Sequence, residues 1–104
     1  MNEKIYWVYI LHCENNTYYT GYTSDLLRRY QEHMQGSAKC KYTRSFKPVK
    51  IAQSWQVFEN KVAMKIEKFI KSMSRIEKND FVLYPEKLTE LFDCKVDVPL
   101  YKKG

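Results

Sequence analysis

The segment IYWVYILHCENNTYYTGY, residues 5–22, decides how the fold begins. Residues 5–13 are rich in β-branched and aromatic side chains, and this composition predicts a strand. Residues 14–16, Glu-Asn-Asn, predict a turn because asparagine tolerates a positive φ. Residues 17–22 predict the returning strand, so the whole segment predicts a β-hairpin.

Alternation along the first predicted strand assigns its side chains to two faces. One face carries Tyr6, Val8, Ile10 and His12, and the other carries Ile5, Trp7, Tyr9 and Leu11. Tyr9 and Tyr19 lie ten residues apart, and a tight hairpin would place them close together. Taken singly, strand tyrosines are mostly packing residues, so neither one indicates a function by itself.

A helix is predicted directly after the hairpin. Ser24 is a good N-cap residue and Gly36 a good stop signal. Between them lies an apolar stripe at helical spacing, formed by Leu26, Leu27, Tyr30 and Met34. Arg29 and His33 are an i,i+4 pair at the edge of this stripe, where a side chain is half-sheltered and can face a cleft.

The remaining elements are predicted from apolar periodicity and local breaks. A basic loop is predicted over residues 37–48, and a third strand over 49–58. A helix follows from about Asn60, and a second helix begins at the Ser74–Glu77 capping box and ends at Pro85. A short helix around Leu88 and a tail over 98–104 complete the chain. The order β-β-α-β-α-α predicts an α/β (α+β) fold with a small three-stranded mixed or antiparallel sheet flanked by helices. We expect residues 1–84 to form the domain and residues 85–104 a C-terminal extension.

The charge is unevenly distributed along this chain of 104 residues. The net charge is +6, and basic residues are densest between Arg28 and Lys50. A basic body indicates a polyanionic partner, most plausibly nucleic acid. A merely solvated, soluble surface is an equally good interpretation of this charge alone.

The cysteines and the apolar stretches exclude several classes of protein. Cys13, Cys40 and Cys94 form neither a CxxC motif nor a zinc-ligand spacing. Three scattered cysteines are typical of reduced thiols, so we expect a cytoplasmic protein. No apolar stretch approaches the length of a membrane span, and we expect no membrane partner.

Six residues along the chain could together carry chemistry: Tyr9, Tyr19, Gly21, Arg29, His33 and Glu67. Each has an ordinary explanation, and Glu67 in particular could simply pair with Lys71 at i+4. Their combined spacing is far more specific, and it resembles the GIY-YIG nuclease family in its small, single-domain bacterial branch. The resemblance covers roughly residues 5–80.

The family's two tyrosine elements correspond to Trp7-Val8-Tyr9 and Tyr19-Thr20-Gly21. Arg29 falls at the position of the family's catalytic arginine, and His33 matches the histidine one turn later. The segment Ala63-Met64-Lys65-Ile66-Glu67-Lys68 matches the one that supplies the metal-binding glutamate, and Lys41-Tyr42-Thr43-Arg44 also resembles the small branch. The chain departs from the pattern at Trp7, which replaces the first glycine. The family's asparagine has its counterpart in Asn79.

The resemblance implies a role for each of these residues. Tyr9 would take the proton of the attacking water, with His33 accepting the phenolic proton, and Tyr19 would orient water or phosphate. Arg29 would brace the phosphate, and Glu67 would hold one divalent ion, expected to be Mg²⁺. Contacts to the nucleic-acid backbone are expected from Lys39, Lys41, Arg44, Lys47 and Asn79.

The resulting prediction is a metal-dependent endonuclease that hydrolyses phosphodiester bonds in DNA, with structure-specific cleavage in DNA repair or processing as its setting. Residues 1–84 would be the nuclease-like domain.

Two alternatives stay open at the level of sequence. One is a nucleic-acid-binding module with weak or no catalysis, and the other is a nuclease subunit that needs a protein partner for specificity.

Overall fold

The computed structural model describes residues 4–36 and 46–97, which form one antiparallel sheet with helices on both faces. The predicted α+β class is confirmed. The elements in chain order are β1 (Tyr6–Cys13), β2 (Tyr18–Thr23), α1 (Leu26–Gln35), β3 (Pro48–Val57), α2 (Asn60–Lys71), α3 (Arg75–Leu83), α4 (Glu86–Thr89) and β4 (Cys94–Val96).

The predicted hairpin is confirmed, with Asn16 in the turn at a φ of 62°. The register places Tyr9 opposite Gly21 and Leu11 opposite Tyr19. Tyr9 and Tyr19 are therefore diagonal neighbours on one face, within reach of each other for aromatic side chains. The strand order is β2-β1-β3-β4, so β2 is an edge strand.

The predicted strand count of three is wrong, because β4 adds a fourth strand. Its three residues pair with Trp55–Val57 of β3. Such a short strand contains too few residues to show the alternation by which a strand is detected in sequence. The predicted boundary at residue 84 stays a prediction, and the predicted tail over 98–104 lies outside the described residues.

Both faces of the sheet are buried. Val8, Ile10 and Trp55 belong to a core cluster that includes Ala63, Ile66 and Ile70 of α2. Tyr9, Leu11 and Ile51 belong to a second cluster that includes Leu26 of α1. Helices α1 and α2 consequently pack on opposite faces of the sheet, and both contact β2.

The helix ends follow local capping chemistry. The N-cap of α1 is Asp25, not the predicted Ser24, and its side chain accepts a hydrogen bond from the Arg28 N–H at 3.2 Å. Both residue types are good N-caps, so sequence alone does not separate neighbouring candidates. The predicted stop at Gly36 is confirmed in the left-handed conformation, at a φ of 72°. The capping box of Ser74 and Glu77 is also present.

The predicted break at Pro85 separates α3 from α4. The Trp55 indole N–H donates to the Pro85 carbonyl at 2.9 Å, and Leu88 of α4 is fully buried. This part of the chain therefore covers one face of the sheet. Within residues 4–36 and 46–97, no helix has the length and apolar character needed to cross a membrane.

Candidate active site

Tyr9 lies at the centre of the candidate site. Its side chain is 1% exposed, and its hydroxyl lies 3.0 Å from His33 Nε2. The hydroxyl passes directly over the backbone of Gly21, where an added Cβ would lie 2.6 Å from the oxygen and 2.8 Å from Cζ. Glycine at this position thus leaves the space in which the Tyr9 hydroxyl reaches the helix.

His33 joins the two tyrosines. It lies on α1, is 0% exposed, and meets the Tyr19 ring edge-on with the ring centroids 5.0 Å apart. The Tyr9 ring is also edge-on, at 5.9 Å. Three of the five predicted catalytic side chains therefore touch: Tyr9 and His33, which are buried, and Tyr19, which is half-buried.

The environment of His33 keeps its imidazole neutral. Burial, together with the neighbouring Arg29 charge, lowers the pKa of His33 from 6.5 to about 4, although the Glu32 charge opposes the shift. A neutral imidazole carries one acceptor nitrogen. His33 Nε2 can therefore accept the proton of the Tyr9 hydroxyl, with the ring proton on Nδ1.

The lowered pKa predicts a loss of folding stability in mild acid. Unfolded His33 binds its proton near pH 6.5, whereas folded His33 binds it only near pH 4. Between these values the unfolded state holds more protons, so the free energy of unfolding falls as the pH falls, by up to about 3 kcal/mol in total. Urea unfolding midpoints measured across this range will show the fall.

The second histidine provides the control for this prediction. His12 is only half-buried, and its Nε2 lies 2.8 Å from Asn16 Oδ1. The substitution His33→Gln should flatten the pH dependence between 6.5 and 4, and His12→Gln should leave it in place. An unchanged slope in His33→Gln would show that other groups cause the acid sensitivity.

Arg29 lies one turn before His33 on α1. Its guanidinium donates to Glu32 Oε1 at 2.9 Å, and Glu32 also faces Arg28 Nε at 3.5 Å. Arg28, Arg29 and Glu32 line a cleft of about 280 Å³ with residues 23–25. Sequence analysis missed Glu32, although its i,i+3 and i,i+4 spacing from the two arginines could have revealed it.

Glu67 is not joined to this group by any hydrogen bond or ion pair within the described ranges. It lies on α2, its side chain is 21% exposed, and its carboxylate lies 3.5 Å from Lys71 Nζ. The local pairing that its spacing allows is therefore present. Since α1 and α2 pack on opposite faces, Glu67 and His33 can approach a common substrate only around the edge strand β2, which both helices contact.

The donor set at Glu67 suits one kind of metal ion. No group of three or more His, Cys, Asp or Glu side chains that could hold a metal occurs in the described part of the chain. Mg²⁺ commonly takes one or two protein carboxylates, and waters and substrate phosphates complete its shell. The single half-buried carboxylate of Glu67 fits a Mg²⁺ ion whose other ligands are waters and substrate phosphates. It does not fit a structural metal site, in which the protein supplies all the ligands.

The residues predicted to bind nucleic acid are only partly described. Asn79 is exposed on α3, and its Oδ1 accepts a hydrogen bond from the Tyr18 hydroxyl at 2.8 Å. Tyr18 was not predicted to matter, and its ring lies under the Arg75 guanidinium at 4.2 Å. Lys47 is exposed just before β3. Lys39, Lys41 and Arg44 lie outside the described residues.

Comparison with known proteins finds matches that cover most of this chain. A family model described as the GIY-YIG catalytic domain matches residues 5–79. A UPF0213 protein of Listeria monocytogenes is 38% identical over 85 residues, covering 82% of this chain and 93% of that protein. A UPF0213 protein of Syntrophus aciditrophicus is 44% identical over 72 residues, covering 69% and 83%.

A solved structure shows the same fold. The solution NMR structure of a UPF0213 protein from Bacillus halodurans superimposes with a TM-score of 0.51 at 36% sequence identity. The match covers 77% of this chain and 84% of that protein. Most of the described sheet and its helices therefore have a counterpart of known structure.

Proposed function

Because this chain belongs to the GIY-YIG catalytic domain family, we propose that it is an endonuclease that hydrolyses phosphodiester bonds in DNA. A GIY-YIG domain implies nuclease-type activity in general. The observation that best supports the finer proposal is the buried contact between the Tyr9 hydroxyl and His33 Nε2, at 3.0 Å. A phenol hydroxyl within hydrogen-bond reach of a neutral imidazole nitrogen has the donor and the acceptor that a proton relay needs.

In this proposal Tyr9 transfers protons between two groups. The hydroxyl gives its proton to His33 Nε2 as its oxygen takes the proton of the attacking water, so the phenolic oxygen loses one proton and gains another. A histidine whose pKa is about 4 is a weak base. An anionic phosphate beside Arg29 would offset the arginine charge and raise the pKa of His33. The base would therefore strengthen only when substrate is bound.

Arg29 is proposed to hold the scissile phosphate. A guanidinium matches phosphate oxygens with two parallel hydrogen bonds, and Arg29 already lines an accessible cleft. To bind phosphate it must leave Glu32, its present partner at 2.9 Å. The Glu32 carboxylate would still have its ion pair with Arg28, so it would not be left unpaired when Arg29 moves to the phosphate. Tyr19, beside His33, would orient the water or the phosphate.

Glu67 is proposed to hold one Mg²⁺ ion, which when bound would neutralise phosphate charge and stabilise the leaving oxygen. Lys71 would have to give up its contact with this carboxylate. Phosphate contacts are proposed for Lys47, Asn79 and three basic residues earlier in the sequence than β3, Lys39, Lys41 and Arg44. We further propose that the protein acts in the cytoplasm in DNA repair or processing.

Plasmid nicking in the presence of Mg²⁺ tests the proposal. Arg29→Ala and Glu67→Ala should each lower the nicking rate by about 100-fold or more, since each removes a group that stabilises transition-state charge. Lys87→Ala and Lys95→Ala are the controls. Each removes one exposed lysine charge outside helices α1 and α2 and should keep most of the activity. Equal nicking by all five proteins would indicate a contaminating nuclease and would overturn the proposal.

One observation favours a second candidate function. Glu67 pairs with Lys71 and has no described contact with Tyr9 or His33, as expected for a nucleic-acid-binding module without catalysis. Salt-dependent DNA binding without cleavage, in either Mg²⁺ or Mn²⁺, would establish that alternative.

A further inference from the structure

Helix α2 carries three exposed lysines in one row, Lys61, Lys65 and Lys68, here called the lysine stripe. At about 100° per residue they fall within an arc of about 60° on the helix. The buried residues of the helix, Ala63, Ile66 and Ile70, lie on the other side. The lysine stripe therefore faces solvent, away from the sheet.

No carboxylate accompanies the lysine stripe. Lys65 follows Lys61 by four residues and Lys68 follows Lys65 by three, so each lysine has another as its neighbour on the helix surface. Like charges at these spacings destabilise a helix, whereas a face that serves only solubility mixes both signs. Across the described ranges none of the three forms an ion pair, in contrast to Lys71 with Glu67 and Lys87 with Asp80.

The dimensions of the lysine stripe fit a nucleic-acid backbone. Seven residues of helix span about 10 Å, and one DNA strand carries a phosphate for about every 3.4 Å of helix axis. Three lysines thus cover roughly three phosphates. Resting on the proposed nuclease function, we propose that the lysine stripe is a second binding surface for the nucleic-acid backbone.

The position of the lysine stripe separates it from the cleft at Arg29. Helix α1 packs on the face of the sheet that includes Tyr9, and α2 packs on the face that includes Val8. Glu67 lies on the same helix as the lysine stripe, next to Lys68. Backbone bound at the lysine stripe would therefore flank the phosphate that Glu67 and Arg29 are proposed to hold.

Binding to a labelled DNA duplex in EDTA, where no metal-dependent cleavage occurs, tests this surface. The triple variant Lys61→Ala/Lys65→Ala/Lys68→Ala should bind at least about tenfold more weakly. The slope of its log association constant against log salt concentration should be less negative by about 2 to 3. The matched control is Lys4→Ala/Lys87→Ala/Lys95→Ala, which loses the same charge at lysines that lie over aromatic rings elsewhere. It should keep most of the salt dependence.

Three results would overturn the proposal. Equal losses in both triple variants would show that net charge alone matters. Unchanged DNA binding with reduced binding to anionic phospholipid vesicles would assign the surface to membranes. Unchanged DNA binding with normal nicking in Mg²⁺ would refute the lysine stripe while leaving the nuclease in place. Conversely, an absence of nicking with the expected change in salt dependence would refute only the catalytic proposal.

Discussion

Tyr9→Phe should lower the rate of DNA cleavage by about 10²- to 10⁴-fold while the protein remains folded. The substitution removes the hydroxyl that lies 3.0 Å from His33 Nε2, so neither the attacking water nor the imidazole keeps its proton-transfer partner. Leaving the buried imidazole nitrogen without this hydroxyl should also cost about 1–3 kcal/mol of stability. Single-turnover nicking and urea unfolding measure the two effects separately.

Tyr22→Phe is the matched control for this substitution. Tyr22 lies on β2 and packs against the other core cluster, away from His33, so its hydroxyl should be dispensable for cleavage. Combining Tyr9→Phe with His33→Gln should cost little more than either change alone, because residues that act as one unit are not additive. Full activity in Tyr9→Phe would exclude the phenol as the proton acceptor.

Gly21→Ala should reduce cleavage by about 100-fold, although residue 21 has no functional group of its own. The new Cβ would lie 2.6 Å from the Tyr9 hydroxyl oxygen and 2.8 Å from Cζ. The tyrosine must therefore move, and its hydroxyl leaves His33. Misplacing a catalytic group by about 1 Å can cost this much activity. Forcing a methyl group into a packed site should also destabilise the fold by about 1–3 kcal/mol.

A double-mutant cycle identifies the cause of that loss. In a Tyr9→Leu background the end of the ring is absent, so Gly21→Ala should then cost much less stability than in the wild type. The free energies of unfolding of the four proteins supply the test. An equal cost in both backgrounds would show that the alanine acts on the backbone and not on Tyr9.

Local signals made much of the fold predictable from sequence. The hairpin, its Asn16 turn, the Ser74 capping box and the break at Pro85 each depend on a few adjacent residues. Their preferences are set by φ restrictions and by side-chain hydrogen bonds to nearby backbone. The fourth strand, β4, was not predicted from the sequence. Its position depends on pairing with β3, about 40 residues earlier in the chain, and not on its own composition.

The candidate site was only partly predictable. The family resemblance named Tyr9, Tyr19 and His33, and the structure places these three in contact. It also named Glu67, whose described partner is Lys71. The role of Glu32 as the present partner of Arg29 could have been inferred from helical spacing. The lowered pKa of His33 could not have been inferred from the sequence, because it depends on burial.

The sequence by itself determined the hairpin, the helices, the stop at Gly36, the Ser74 capping box and the family to which the chain belongs, because these depend on near neighbours and on the identity and spacing of side chains. Only the tertiary structure decided that Tyr9 meets His33 over Gly21 and that α1 and α2 lie on opposite faces of the sheet. Such contacts join residues far apart in the chain. Their geometry and the lowered pKa of His33 follow from how a helix packs on a sheet and excludes water, which a linear pattern does not specify.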